Sequence, residues 1–331
     1  MKTFKVILWL IVATAVVIGC GKKQSFRPTQ QLQLTQLPIS AAQLSDDGAL
    51  TLLLIEDHLL QVWDNSTQEI IKQIEGSKFN LYFRAAFIAP SKRSILSVSD
   101  QQLTIWQLYS DELTTFALPQ RDSYISVTKV IWSSDENLIM LGYNDGSAQL
   151  LNLKQQSLSQ LALHESSITE LIFSRDLSVV YSASLDGHAK KVDIASKQML
   201  FDYALPHRIT SLALSQAEDK LFVSDALADQ HIISAENGDN LTSLDYIQRF
   251  KFFREATFVA DDKYLLTSSS KAHMSLWQVS SGEEIISWPI AQLSLGSTVY
   301  DLQLSNSNVL TTISSDGVLE RWDLQQILFD W

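Results

Sequence analysis

The chain has 331 residues, 46% of them hydrophobic and only 19% charged, a balance that suits a well-packed globular body and excludes a disordered polyelectrolyte. Its net charge of −12 argues against broad binding to nucleic acid or to anionic lipid surfaces. A single cysteine excludes any internal disulfide.

The first twenty residues read as an export signal. Lys2 and Lys5 form a short basic region, and Val6 to Gly19 form an apolar stretch of signal-peptide length, too short for a comfortable permanent membrane helix. The stretch ends in Val17-Ile18-Gly19-Cys20, which resembles the bacterial lipobox. That resemblance implies cleavage before Cys20 and acylation of its thiol, so the lone cysteine becomes a membrane anchor. One acyl chain holds a protein weakly, at ~0.8 kcal/mol per buried methylene, and a diacyl or triacyl cysteine supplies the rest. Gly21 stands where an Asp would signal retention at the inner membrane. In a Gram-negative cell the resemblance therefore points to the outer membrane, with the body facing the periplasm. Residues 1–20 are the signal, 21–30 a polar tether with Lys22, Lys23 and Arg27, and 31–331 the folded body.

Gln31 to Leu37 alternates with period two, as a half-exposed strand does. A repeat then runs to the end of the chain. Its clearest copy, Ile168 to Leu205, reads as strand, polar turn, strand, Asp186-Gly187 hairpin, strand and outer strand. An anchor in the third strand recurs at Trp63, Trp106, Leu151, Val192, Ile233, Trp277 and Trp322, at intervals between 41 and 45. A small residue ending the first strand keeps the same step at Ser45, Ala89, Ser133, Ser174, Ser215, Ala260 and Ser305. Two independent landmarks give seven units.

The units resemble WD repeats. Trp63-Asp64 and Trp322-Asp323 match literally, Trp106-Gln107 and Trp277-Gln278 match by half, and Asp145-Gly146, Asp186-Gly187 and Asp316-Gly317 match the hairpin turn. The resemblance implies an all-β, seven-bladed propeller. The last unit has three strands at the C-terminus, so residues 31–37 are expected to complete it and close the ring.

His164 and His207 lie at matching places in successive units, each followed 22 residues later by an aspartate, Asp186 and Asp229. In WD repeats such pairs belong to a His–Asp–Ser/Thr–Trp network. Val192 and Ile233 replace the Trp here, so the network is expected to be partial. Satisfying two buried polar groups is the favoured role, and no metal site is expected, because a ring separates the histidines by more than zinc's ~2 Å bonds allow.

No phosphate-cradling glycine loop, Gly-x-Ser-x-Gly elbow or His-Glu-x-x-His occurs, and no cofactor or catalytic residue is assigned. The loops leading into the second and sixth units are rich in aromatic and Arg residues, which interface hot spots favour. Phe79, Tyr82, Arg84, Arg208, Arg249, Phe252 and Arg254 form the candidate partner-binding surface, and alternate aromatics are expected to bury themselves. The reading is a monomeric, lipid-anchored, non-enzymatic scaffold for a protein partner in the cell envelope. The alternative is a propeller enzyme, such as a hydrolase, or a small-molecule or glycan binder using the central channel.

Overall fold

The computed structural model describes residues 26–245, 252–305 and 308–329. Seven four-stranded antiparallel sheets follow one another along the chain. Blades 1 to 6 span residues 39–75, 85–117, 127–162, 168–204, 209–243 and 253–289. Blade 7 takes three strands from Val299–Leu304, Val309–Ser314 and Val318–Asp323, and its outer strand is Gln30–Gln33. The pairs run Gln30 with Arg321 through Gln33 with Val318. Beyond them, Leu34 N–H donates to the Gly317 carbonyl. The closing strand is therefore shorter than the alternation of 31–37 suggests, but it sits where that alternation places it.

The core lies between blades rather than within them. Leu34, Leu319 and Ile313 of blade 7 pack against Ile39, Leu44 and Leu53 of blade 1, which makes the closing contact apolar as well as hydrogen-bonded. Blades 1 and 2 share a cluster from Leu52, Leu60 and Val62 to Ile95 and Trp106. Second strands such as Leu50–Ile55 and Val179–Ser184 are buried at every residue, because a neighbouring blade covers each face. Full burial of such a Leu or Ile side chain is worth ~1.5–3 kcal/mol. Outer strands such as Leu113–Ala117 are mostly exposed.

The seven third-strand anchors occupy one structural position. Trp63 pairs with Thr51, Trp106 with Ile95, Leu151 with Ile139 and Val192 with Val180, and the later blades repeat this register. Six of the small residues also coincide, each one place beyond its inner strand, whereas in blade 6 Phe258 faces Leu265, the partner of Trp277, so Val259 takes that place and Ala260 falls one residue late. Their chemistry is a turn: Ser133 Oγ donates to Asp135 at 2.6 Å and accepts the Leu138 N–H at 2.9 Å. Ser45 with Asp47 and Ser174 with Asp176 do the same.

Loops that join one blade's outer strand to the next inner strand share a face with the second hairpin turns, as when Leu205 N–H donates to Gly187 O. This is called the upper face below. Most inner strands carry a bulge near this face, between Val127 and Lys129, Ile168 and Glu170, and Val299 and Asp301 among others. A bulge inserts one residue and resets which side chain points inward. At the rim between blades 6 and 7, Phe26 packs edge-on to Trp288 at 6.1 Å, beside the short helix Leu324–Phe329. Among the described residues no helix is long and apolar enough to cross a membrane.

Candidate binding site at the channel mouth

Pro206, His207 and Arg208 enter blade 5 on the upper face, opposite the second hairpin turn at Ala226 and Leu227. The Ala226 N–H donates to the Arg208 carbonyl, which fixes the loop against the turn. With Phe252, at the entry to blade 6, these residues line a cavity of about 540 Å³. A second cavity of about 400 Å³ shares Arg208 and Phe252 and descends into the channel past Thr169, Glu170, Arg254 and Glu255. The Arg254 guanidinium lies 5.2 Å from the Phe252 ring centre. Among the described residues neither Arg208 nor Arg254 forms an ion pair with a carboxylate.

Below the mouth the channel is charged. Lys129 of blade 3 contacts Glu170 of blade 4 at 2.5 Å, and both sense Glu255 of blade 6. Asp301 of blade 7 also acts on Lys129. Only the ring's centre brings those four blades together. Burial would discharge Lys129, but Glu170 and Glu255 outweigh it and hold the ammonium above its ordinary range. Burial raises Glu170 against the pull of Lys129. Glu255 is pushed well up, by burial first and then by the Glu170 charge. Burial also raises Asp301, to about 7, although its carboxylate accepts the Leu44 and Leu302 N–H groups at 2.7 Å. These four residues escape a reading based on alternation, because the bulges shift it. Their recurrence at one inner-strand position is the signal that marks them.

The remaining candidates lie elsewhere. Blade 2 stands across the ring from blades 5 and 6, and there Arg84 is locked to Asp100 by two bonds of 2.8 Å. Arg84 holds that carboxyl below its ordinary range. Tyr82 is 68% exposed beside Asp100, in a shallow hollow of about 150 Å³. Phe79 ends the 3-10 turn Gly76–Phe79 and packs edge-on to Trp106 at 4.9 Å, in a lateral groove between blades 1 and 2. The left-handed Asn80, φ 53°, turns the chain there and splits the aromatic run between two surfaces. Arg208, Phe252 and Arg254 are thus brought together, and Phe79, Tyr82 and Arg84 are not part of that group. Cys20 and Arg249 fall outside the described residues.

His164 forms its expected contacts. Its Nδ1 lies 3.0 Å from Asp186 and its Nε2 2.9 Å from Ser182 Oγ, with Val192 in the third-strand position. Burial lowers the imidazole's pKa from 6.5, against the opposing charge of Asp186. Blade 5 departs from this pattern, and the His207–Asp229 expectation needs correcting. His207 is exposed, and no hydrogen bond joins it to Asp229 among the described residues. The second hairpin is longer in this blade, and Asp225 caps it by accepting the Leu227, Ala228 and Asp229 N–H groups. In blade 3, Arg121 reaches the turn aspartate Asp145 at 3.2 Å and Ser147 at 2.8 Å, in the manner of His164. Among the described residues no group of three or more His, Cys, Asp or Glu side chains is placed to hold a metal ion.

Comparison with known proteins agrees with this architecture. Residues 155–193, within blades 3 and 4, match the family described as WD domain, G-beta repeat. The chain is 21% identical over 238 residues to autophagy-related protein 16 of Arabidopsis thaliana, covering 69% of this chain and 45% of that protein. It is 24% identical over 228 residues to human angio-associated migratory cell protein, covering 64% of this chain and 50% of that one. Human WD repeat-containing protein 18 is 26% identical over 173 residues. The match spans half or less of each of these relatives. Fold, register and repeat match together make this chain a seven-bladed propeller carrying a WD-type repeat.

Proposed function

We propose that this chain is a lipid-anchored, non-enzymatic scaffold of the cell envelope that docks a protein partner on the upper face of its propeller. The observation that carries the reading is the channel mouth, where Arg208 and Arg254 flank the half-buried Phe252 without a carboxylate partner among the described residues. Exposed Arg beside aromatic and apolar surface is the composition of interface hot spots. The WD-repeat match supports a protein-interaction role in general.

Anchoring rests on the sequence from Lys2 to Cys20. The described chain begins at Phe26 on the outer rim, between blades 6 and 7. Six residues span at most ~20 Å, which would tie a lipid on Cys20 to that part of the disc. In-cell crosslinking of the tagged full chain, with probes at the mouth and at the lower face, tests the reading. One specific protein captured at the mouth supports docking, and capture only from the lower face removes it. Cys20→Ala should shift the protein from the membrane to the soluble fraction, and unchanged membrane retention would remove the anchor.

A second reading, a small molecule held in the channel, is favoured by Lys129 facing Glu170 below the mouth. A glycan or metabolite panel that raises the melting temperature of the native chain but not of Glu255→Gln would establish it.

A further inference from the structure

The protein carries a net charge of −12, yet its channel mouth presents two arginines that form no ion pair among the described residues. Arg84 and Arg121 are each ion-paired, to Asp100 and Asp145. Arg208 and Arg254 have no such pair among the described residues, although both are exposed and both line the same cavity. A guanidinium offers a planar fork of donors that matches a carboxylate; Glu255 senses the Arg254 charge, but no carboxylate ion-pairs with either guanidinium among the described residues. The Phe252 ring under Arg254 limits the directions that guanidinium takes.

Beside the cations the surface is apolar. Pro206, Ala226 and the 40% exposed Leu227 line the outer of the two cavities with Arg208 and Phe252, and Leu185, 42% exposed, lines the inner one with Arg254. The outer cavity, of about 540 Å³, and the inner one, of about 400 Å³, share Arg208 and Phe252 and each fall within the ~300–1,000 Å³ range of ligand pockets. One apolar side chain with its flanking backbone fits the outer one. Deeper in, Glu170 and Glu255 replace the arginines, so the exposed cations for an anion lie at the rim.

We propose that the mouth between blades 5 and 6 binds an extended protein segment in which an apolar side chain is followed closely by an acidic one. The apolar group fills the space among Pro206, Leu227 and Phe252, and the carboxylate bridges Arg208 and Arg254. This rests on the docking reading above and adds the partner's chemistry to it. A basic segment is rejected by the two cations, and a fully apolar one leaves them unpaired.

The test uses the full chain and two measurements. In cells, a photo-crosslinking residue at Leu227 is compared in the native background and in the double variant Arg208→Glu, Arg254→Glu, with the crosslinked partner peptide sequenced. In solution, fluorescence anisotropy follows a labelled peptide of alternating Phe and Glu, a matched Phe and Lys peptide, and a matched Ser and Glu peptide. Expected are an acidic, apolar crosslinked segment and at least a tenfold loss of Phe–Glu binding in the double variant at an unchanged melting temperature. Leu227→Ser should weaken the same peptide while leaving the salt dependence intact. Capture at Leu227 of a basic segment, or equal capture by the double variant, overturns the proposed chemistry and leaves docking standing. No capture at Leu227, with capture from the lower face, removes the docking reading itself. Displacement of the peptide by inorganic phosphate or by anionic phospholipid vesicles at equal charge would show a plain anion site and overturn the proposal.

Discussion

His164 keeps both ring nitrogens engaged inside blade 4, where its side chain has no exposure. Removing it leaves Ser182 and Asp186 without their shared partner, and a buried polar group left unsatisfied costs ~1–3 kcal/mol. His164→Ala should lower stability by about that amount in urea denaturation, and His207→Ala, at an exposed unpaired site, should change it little. The spacing of 22 residues is the same in both blades, so sequence alone treats the two alike. They differ because a tight Asp-Gly turn presents Asp186, whereas blade 5 needs a longer loop that Asp225 caps. Glu320 raises a separate point. Buried between blades 6 and 7, with one Oε accepting the Ala291 N–H, it has a pKa of about 7 against an ordinary 4.5. Between those values the unfolded chain ionises while the folded one stays protonated, so stability falls as pH rises through this window and levels off above it. Glu320→Gln removes this dependence. Its melting temperature should exceed the native one by more at pH 8 than at pH 4.5, and an equal gap at both would show that Glu320 titrates normally.

At the scale of the element, the hairpins explain why the repeat was readable. Gly146 has φ 82°, and a Cβ there would lie 2.2 Å from the His164 carbonyl, so two independent constraints demand glycine. Gly146→Ala should cost roughly 1–3 kcal/mol in chemical denaturation, through left-handed backbone and displacement of the entry loop. The serines that end the inner strands were equally legible, because one hydroxyl closes each turn and no larger side chain replaces it. Blade 2 uses Ala89, recognisable only by its interval, and in blade 6 the interval points to Ala260, one residue past the equivalent Val259. What periodicity does not reveal is the bulge. One extra residue in an inner strand carries Lys129, Glu170 and Asp301 to the channel, and no local composition announces it. The binding surface was half legible for a related reason. Arg208 and Phe252 hold equivalent entry positions in adjacent blades, with Arg254 just inside the strand that Phe252 precedes, whereas a 3-10 turn diverts Phe79 to the lateral groove.

The whole molecule depends on neighbours shielding neighbours, which is why seven units were countable from two landmarks and why none of them is a domain alone. Leu34, 6% exposed in the cluster that joins blades 7 and 1, is a sensitive point. Leu34→Ala should cost ~2–5 kcal/mol, as large-to-small core changes do, and a deletion of residues 26–38 should expose the Val318–Asp323 edge and drive aggregation. Calorimetry of the first and light scattering of the second check both. The closure also sets an order of events. Thr29 bonds to Arg321 across 292 residues, so the segment made first finds its partner only when almost all of the polypeptide has left the ribosome. Until then both half-built edges stand open, and a slow final zippering step follows every faster local hairpin. Whatever escorts the unfinished chain must keep the strand Gln30–Gln33 idle until the last blade arrives.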